Sequence, residues 1–329
     1  MKDIRVIAAC LGRRYSGVNA SMGAVIPEQL KHERLAAIGR NIPQGIPTLT
    51  WGQVLRHRRD RPRIWHARRN TDMAVGILLR TLGWKYKLVF TSAALRPKTW
   101  TTRWLIRRMD AVIATTAKAA SFVPVPATVV MHGVDLERFR PGKSDERENL
   151  IGIFGRIREN KGSADFAEAM CRLLPHHPDW KAVYIGQAES EAYQRDLESR
   201  FRSAGIADRI TFTGFVPEAD IPGWYRRLKL VVCASRQEGF GLPCLEAMAS
   251  GCAVVATHAG AWPEIVTPES GRLVPCADAA AMAAAIEEVL EQTANLGAAG
   301  RKLVEHLFAI ANEASGIQAV YDRLLPRQT

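Results

Sequence analysis

The chain has 329 residues, of which 47% are hydrophobic, with 45 Lys and Arg against 33 Asp and Glu. This length exceeds the roughly 100–200 residues of one ordinary domain and predicts two domains. No apolar run reaches the about 20 residues of a membrane-spanning helix, and the first ten residues are typical of a strand rather than a signal peptide. We therefore expect a cytoplasmic protein that is either soluble or bound to a membrane surface.

Positive charge is concentrated in the first part of the chain. Residues 1–145 hold 26 Lys and Arg against 9 Asp and Glu, a net charge of +17, whereas the remainder has a net charge of −5. A basic half is typical of proteins that bind nucleic acid, an anionic membrane surface or an acidic acceptor. Composition leaves these three open, together with an Arg-rich surface that is only solvated.

Strand and helix patterns alternate through the first half. Lys2–Cys10 predicts a strand, which leads through a polar loop with two glycines into a helix near residues 20–30. Helices are also predicted at 72–82 and 101–108. The further predicted strands are Arg63–His66, Lys87–Thr91, Ala111–Thr115 and Thr128–Met131. Such alternation predicts a parallel sheet.

A polar stretch with Pro and Gly at 140–148 predicts a linker, and we place the domain boundary between residues 143 and 144. A second series of strands and helices begins at Asn149–Phe154. Its further predicted strands are Lys181–Gly186, Arg209–Thr213, Leu228–Cys233, Ala253–Thr257 and Gly271–Val274. Its predicted helices are Ala164–Leu174, Glu189–Ala204, Leu242–Ser250 and Ala277–Glu291. The prediction is an α/β protein with two doubly wound domains, residues 1–143 and 144–329. The last stretch, 309–325, is predicted to be a helix that packs either on its own domain or back on the first.

The segment 235–251, with the sequence SRQEGFGLPCLEAMASG, has the most specific pattern. It follows an apolar strand, turns at glycines and enters a helix with Pro243 in its first turn. Free amides at a helix start can hold a diphosphate. Glu238 in the loop and Glu246 on the helix can accept hydrogen bonds from sugar hydroxyls. The alternative is that both are surface acids near a helix start.

A second loop, with the sequence FGRIRENKG at 154–162, follows the first strand of the second half. Arg156 and Lys161 bracket its turn. Two cations at the carboxyl end of a strand can hold a pyrophosphate and neutralise the charge that grows as a glycosidic bond breaks. No Asp-x-Asp pair ends a strand, so we expect no metal site and no metal cofactor. The alternative is that both cations are solvated.

Together these segments resemble glycosyltransferase family 4, whose members are retaining enzymes with the GT-B fold. Its pattern of two glutamates separated by seven residues occurs as Glu238 and Glu246, and its phosphate loop occurs as Gly155-Arg156 and Lys161-Gly162. His132-Gly133-Val134-Asp135 is similar to the family's Asn-Gly-Val-Asp connector, with His132 in place of Asn for no reason that the sequence shows. The resemblance implies two Rossmann-like domains that face each other across a cleft, an N-terminal acceptor domain and a C-terminal donor domain.

The resemblance also implies a role for each matching residue. Glu246 would bind the ribose hydroxyls of a nucleotide sugar, and Glu238 would bind the hydroxyls of the transferred sugar. Arg156 and Lys161, with Gly155 beside them, would hold the diphosphate. The amides implied to line the sugar and the phosphates are those of Gly239, Phe240, Gly241 and Leu242.

The first half adds weaker candidates. Gly17, in Ser16-Gly17-Val18, lies where the family often has Gly-Gly-Val, a loop that lets amides approach the donor phosphates. His66 ends a predicted strand, and it is either a catalytic residue on the acceptor side or a hydrogen-bonded structural histidine. The residues that either recognise an anionic acceptor or lipid surface or are only solvated are Arg13, Arg14, Arg68, Arg69, Arg96 and Lys98.

Residues 13–21 and 91–96 resemble the subgroup that adds mannose to the lipopolysaccharide inner core. This resemblance implies GDP-mannose as donor, a Kdo-bearing lipid A precursor as acceptor, and a peripheral position on the cytoplasmic face of an anionic inner membrane. UDP-glucose or another hexose donor in cell-surface polysaccharide synthesis is the alternative. A nucleotide-sugar epimerase and a nucleic-acid-binding protein are rivals from other classes. No helix-turn-helix, zinc or RNA-binding motif is present, so we expect no nucleic-acid partner.

Overall fold

The computed structural model describes residues 4–12, 17–143 and 147–326. The chain divides into two compact units, residues 1–133 with 309–329 and residues 134–308. This division lies before the linker boundary that we placed at 143/144. The connector after Gly133 belongs to the second unit because the Val134 N–H donates to the Phe308 carbonyl at 2.8 Å and Phe139 packs edge-on against Tyr225. The last helix belongs to the first unit.

The first unit is a parallel sheet with helices on both faces. Its strands are β1 (Val6–Cys10), β2 (Leu35–Gly39), β3 (Thr48–Leu49), β4 (Arg63–Ala67), β5 (Tyr86–Ser92), β6 (Ala111–Ala114) and β7 (Thr128–Val129). Its helices are α1 (Gly17–Leu30), α2 (Trp51–Leu55), α3 (Asn70–Thr81), α4 (Trp100–Ile106), α5 (Ala117–Ser121) and α13 (Ile310–Leu324). Within the described residues, the strand order is β3-β2-β1-β4-β5-β6-β7.

The second unit repeats this architecture. Its strands are β8 (Glu148–Phe154), β9 (Lys181–Ile185), β10 (Ile210–Phe212), β11 (Leu228–Cys233), β12 (Ala253–Thr257) and β13 (Gly271–Val274). Its helices are α6 (Ser163–Leu173), α7 (Glu191–Ser203), α8 (Ile221–Arg227), α9 (Leu242–Ala249), α10 (Trp262–Ile265), α11 (Ala279–Leu290) and α12 (Thr293–Leu307). Its sheet has the order β10-β9-β8-β11-β12-β13 over the residues described.

The two parallel α/β units confirm the predicted fold class. The apolar runs of β11, β12 and β13 have the predicted bounds, whereas β2, β3 and α12 are absent from the prediction. Helix α12 contains Gly297 and Gly300, which weaken a helical pattern. Gly297 is required by packing, because a Cβ at this position would overlap the Gly251 carbonyl. The residue pattern of α12 therefore reflects a close contact rather than helix propensity.

The sheet of the first unit separates two apolar layers. Side chains alternate along each strand, so neighbouring residues point to opposite faces. Ile64 and Val89 pack with α1 and α13, whereas Trp65 and Leu88 pack with residues of α2, α3 and α4. Each face is therefore covered by its own set of helices, although α13 is distant in sequence.

Polar contacts attach α13 to the first unit at both ends. Near its start, Glu313 accepts hydrogen bonds from the Gly133 N–H at 2.8 Å and contacts His132 Nδ1 at 2.7 Å, and both side chains are buried. Near its end, Asp322 accepts a hydrogen bond from Arg5 at 2.8 Å, and Arg5 also pairs with Glu33. Buried polar groups need such partners, so these contacts fix where the helix lies. They also give His132 a structural contact that the sequence did not indicate.

No helix in the described ranges has both the length and the apolar character needed to span a membrane.

The carboxylate of Glu313 is expected to be worth about 2 kcal/mol of folding free energy, because Glu313→Ala leaves a buried N–H and a buried imidazole without their acceptor. Urea denaturation followed by circular dichroism measures this loss. Glu168→Ala is the matched control, since Glu168 pairs with Arg172 on an exposed helix face and should cost less than about 0.5 kcal/mol. Equal losses in the two variants would contradict the assigned role of Glu313.

Candidate active site

The two predicted donor segments meet at one edge of the second sheet. Strand β8 pairs in parallel with β11, with Ile151 beside Leu230 and Gly152 beside Val231. The carboxyl ends of parallel neighbours lie at the same edge, which is where ligands bind in open α/β sheets. Loop 155–162 therefore begins beside loop 234–241.

A glycine brings these loops into contact. Gly162 has a φ of 69°, and a Cβ there would overlap the Ala234 carbonyl oxygen. Its left-handed conformation ends the short 3₁₀ turn Glu159–Lys161 and starts α6. Only glycine combines that conformation with so close an approach at no steric cost.

An arginine locks the loops together. Arg236 forms a bidentate pair with Asp165 on α6, with distances of 2.8 Å from Nε and 2.7 Å from Nη2. A third bond, of 2.9 Å, joins Nη1 to Glu159. Fork-to-fork pairs of this kind fix direction as well as distance. Arg236 was not among the sequence candidates, although it lies two residues before Glu238.

This arrangement holds Lys161 against Glu238. Lys161 Nζ lies 2.5 Å from Glu238 Oε2, and both side chains are half-buried. Ser235 donates to the same oxygen at 3.3 Å, and the Gly239 N–H donates to Oε1 at 3.1 Å. An ammonium has three donors, so Lys161 keeps two for a phosphate while it is paired. The structure thus brings together two residues that the sequence assigned to one site.

The other residues of the phosphate loop are less constrained. Gly155 directly follows β8, and its N–H donates to the Ile185 carbonyl at 3.0 Å. Arg156 is exposed, and its side chain forms no ion pair or hydrogen bond with any residue that the structure describes. A free guanidinium beside a paired lysine can reach a phosphate without first breaking a contact.

Helix α9 begins at the same edge. Gly241 precedes it with a φ of 93°, and a Cβ there would overlap the Trp262 indole, which donates to the Gly241 carbonyl at 2.9 Å. Phe240 is buried, and its carbonyl accepts the Ala261 N–H at 3.0 Å. The residue at the helix cap is Gly241, which has no side chain that could accept a hydrogen bond from the first turn. The Leu242 amide is therefore available to an anion.

Glu246 is held by a residue that the sequence did not indicate. The Tyr225 hydroxyl donates to Glu246 Oε2 at 2.9 Å, and the Tyr225 ring stacks on Phe154 with centroids 3.9 Å apart. Loss of water around the half-buried carboxyl raises the pKa of Glu246 to about 7, although the Tyr225 hydrogen bond acts in the opposite direction. Glu246 therefore changes its charge near neutral pH.

In the first unit, Gly17 is the first residue of α1 and is exposed, with open space where a Cβ would stand. His66 is fully buried, with ring nitrogens 2.5 Å from the Tyr321 hydroxyl and 2.7 Å from the Thr91 hydroxyl. Burial lowers the pKa of His66 well below its usual value. Both ring nitrogens have a hydrogen-bond partner, and the ring is not exposed to solvent. This arrangement is the one expected of a hydrogen-bonded structural histidine.

The basic candidate residues of the first unit differ in the hydrogen bonds and the exposure of their side chains. Arg69 donates to Asn19 Oδ1 at 2.8 Å, and Lys98 donates to the Ala94 carbonyl at 2.8 Å. Arg68 is half-buried and Arg96 is exposed. Three sequence candidates, Arg13, Arg14 and Ser16, lie outside the described residues. Among those described, no three His, Cys, Asp or Glu side chains group as metal ligands would.

Comparison with known proteins identifies relatives over the whole chain. The family model described as "Glycosyl transferases group 1" matches residues 148–292. The lipopolysaccharide core biosynthesis mannosyltransferase LpcC of Rhizobium leguminosarum bv. viciae is 46% identical, covering 99% of this chain and 98% of its own. The enzyme of the same description from Rhizobium meliloti strain 1021, LpsB, is 40% identical, covering 99% of each.

Solved structures show the same fold. Anabaena HepE in complex with UDP superposes with a TM-score of 0.84 over 97% of this chain and 100% of its own, at 18% identity. A glycosyltransferase from Rickettsia africae gives a TM-score of 0.81 at 15% identity, with 100% of both chains covered. Sequence identity over nearly the full length and this shared GT-B fold show that the chain belongs to the group 1 glycosyl transferases and is a glycosyltransferase.

Proposed function

We propose that this enzyme transfers mannose from GDP-mannose to a Kdo-containing lipid A precursor of the lipopolysaccharide inner core. The proposal rests on one observation, the sequence identity of 46% and 40% to two lipopolysaccharide core mannosyltransferases, in alignments that cover 99% of this chain. A lipid-linked acceptor places the reaction at a membrane, so we include a peripheral position on the cytoplasmic face of the inner membrane. The basic first half suits a phosphorylated, carboxylated acceptor.

The contacts of the second unit support a division of work within the donor site. Glu246 binds the ribose hydroxyls, since a carboxylate accepts two hydrogen bonds from neighbouring hydroxyls. Glu238 binds hydroxyls of the mannose, and its bond to Lys161 orients it toward the phosphate loop. Lys161 and Arg156 bind the diphosphate, with the α9 amides beside them. Gly155, which has no side chain, leaves room for the phosphates to approach the backbone.

Chemically, we propose transfer with retention and without a metal. The acceptor hydroxyl attacks the anomeric carbon on the face from which GDP departs, while the bond from that carbon to the β-phosphate oxygen breaks. The departing phosphate takes the hydroxyl proton, so no protein base is needed. Negative charge builds on the diphosphate in this step, and Lys161 and Arg156 neutralise it as a divalent cation otherwise would.

The donor is expected to be GDP-mannose when purified protein is incubated, in EDTA, with GDP-, UDP- and ADP-sugars and a detergent-dispersed Kdo-lipid A precursor. Mass spectrometry of the acceptor should show a gain of one hexose with GDP-mannose. Lys161→Ala and Glu246→Ala should each lower kcat/KM by about 100-fold, because each removes a charged contact to the donor.

Lys181→Ala is the matched control, because this exposed lysine starts β9 at the opposite edge of the same sheet. It should retain the wild-type rate. Transfer from a UDP-sugar alone would show that GDP-mannose is not the donor, but the reaction would still be a glycosyl transfer. Loss of transfer when EDTA is added would contradict the metal-independent step.

Donor affinity should follow the charge of Glu246. With a pKa of about 7, the carboxylate is mostly ionised at pH 8 and mostly protonated at pH 6, so GDP should bind about tenfold more weakly at pH 6 for this reason alone. Isothermal titration calorimetry measures the change. Glu246→Gln should bind GDP weakly at both pH values. Any pH dependence that remains in this variant comes from titration of the GDP phosphates, so the comparison isolates the tenfold contribution of Glu246.

Tyr225→Phe sharpens the test. The hydrogen bond from the Tyr225 hydroxyl favours the ionised carboxylate of Glu246. Removal of this hydroxyl should therefore move the pH dependence of GDP binding to higher pH. An identical pH profile in wild-type protein and Glu246→Gln would remove Glu246 from the ribose site.

A further inference from the structure

The two helical faces of the first unit differ in what they expose. Along α1 and α13, every large hydrophobic side chain is buried or half-buried. The opposite face, formed by α2, α3 and α4, exposes a pair of large hydrophobic side chains on or beside each helix, spaced four residues apart. These side chains, between 44% and 78% exposed, are Trp51, Leu55, Leu78, Leu82, Trp100 and Trp104. In the described part of the first unit, Val129 is the one other exposed large hydrophobic residue.

The helices of this face lie in the most basic segment of the chain. Residues 51–108, which contain the three helices, hold 15 Lys and Arg against 2 Asp and Glu. The net charge of this segment therefore exceeds the +12 of the whole protein. Arg56, Arg103 and Arg107 are exposed, and their side chains form no ion pair or hydrogen bond with described residues.

Aromatic and basic side chains are interleaved on α4. Trp100 is 78% exposed, and Trp104 lies one turn later with the Arg108 guanidinium 3.5 Å from its ring centroid. Exposed tryptophan is costly in water, whereas its amphipathic ring is favoured at the boundary between lipid headgroups and acyl chains. Arginine beside it is favoured by anionic headgroups. The combination fits a bilayer surface better than a protein or nucleic-acid partner.

We propose that the face formed by α2, α3 and α4, here called the docking face, binds the surface of an anionic lipid bilayer, with Trp100 and Trp104 inserted at the headgroup level. This inference rests on the proposed function, because a lipid-linked acceptor lies in such a bilayer. Helix α4 starts two residues after Lys98, in the segment that leads from the carboxyl end of β5. Docking there brings the edge formed by the carboxyl ends of the first sheet's strands, where open α/β sheets bind ligands, close to the membrane.

The experiment is flotation of the purified full chain with vesicles of phosphatidylcholine, or of phosphatidylcholine mixed with phosphatidylglycerol, without donor or acceptor. Wild-type protein should bind the anionic vesicles and dissociate as salt rises from about 0.1 M to about 1 M. Trp100→Ser with Trp104→Ser should lower the partition coefficient at least about tenfold. Arg103→Gln and Arg107→Gln should each lower it about fivefold.

Phe215→Ser is the matched control, because Phe215 is 75% exposed but lies in the second unit. It should float as wild type does. Thermal melts check that each variant folds, as substitutions at exposed positions should allow. Brominated lipids provide a second readout, since they should quench the tryptophan fluorescence of the wild type more strongly than that of the variant Trp100→Phe with Trp104→Phe.

The outcomes separate the docking face from the proposed function. Equal losses in Phe215→Ser and the tryptophan variant, or binding to a random oligonucleotide in place of vesicles, would overturn the docking face. Transfer to a detergent-dispersed acceptor should be unchanged in the docking-face variants. If the wild type floats but transfers no sugar to that acceptor, the proposed function fails and the docking face stands.

Discussion

The site of the second unit depends on the contact between its two loops, which Arg236 holds closed. Its guanidinium binds Asp165 and Glu159 from the loop after β11, while its own N–H donates to the Asn160 carbonyl at 3.0 Å. Gly162 allows the backbones to touch at this point. Lys161 and Glu238 form an ion pair because these two loops hold them together, so the phosphate contact and the sugar contact that we propose would be positioned together.

That pairing determines the electrostatics that a donor meets. Lys161 and Glu238 largely cancel each other's charge, and the raised pKa of Glu246 keeps much of its charge suppressed near neutrality. In the proposed donor complex, the diphosphate would meet a site with little negative charge, in which Arg156 and the first turn of α9 supply positive potential. If Glu246 binds the ribose as we propose, hydrogen bonds from the ribose hydroxyls would stabilise its ionised form.

The local sequence pattern predicted much of this arrangement, but it did not predict the residues that hold the site in place. Apolar strands such as β11 are visible as runs of consecutive residues, and so is the start of α9, with Gly241 before it and Pro243 in its first turn. The pairing of β8 with β11 then places Lys161 near Glu238. Tyr225 carries no local signal, because its partners Glu246 and Phe154 lie on other elements. The helix α12 was missed for a similar reason, since its glycines serve a contact with Gly251. Tertiary contacts, unlike periodicity, are not encoded in neighbouring residues.

The basic first half shows why a charge count differs from available charge. Several of its cations serve the interior: Arg5 pairs with Glu33, and the buried Arg63 donates to the Ile4 carbonyl at 3.0 Å. Such groups contribute to the net charge but offer nothing to a partner. Among the cations that are exposed, Arg103 and Arg107 lie beside the exposed tryptophans of α4. An interfacial ligand, which needs charge and apolar contact together, accounts for both features, whereas a soluble polyanion accounts for the charge alone.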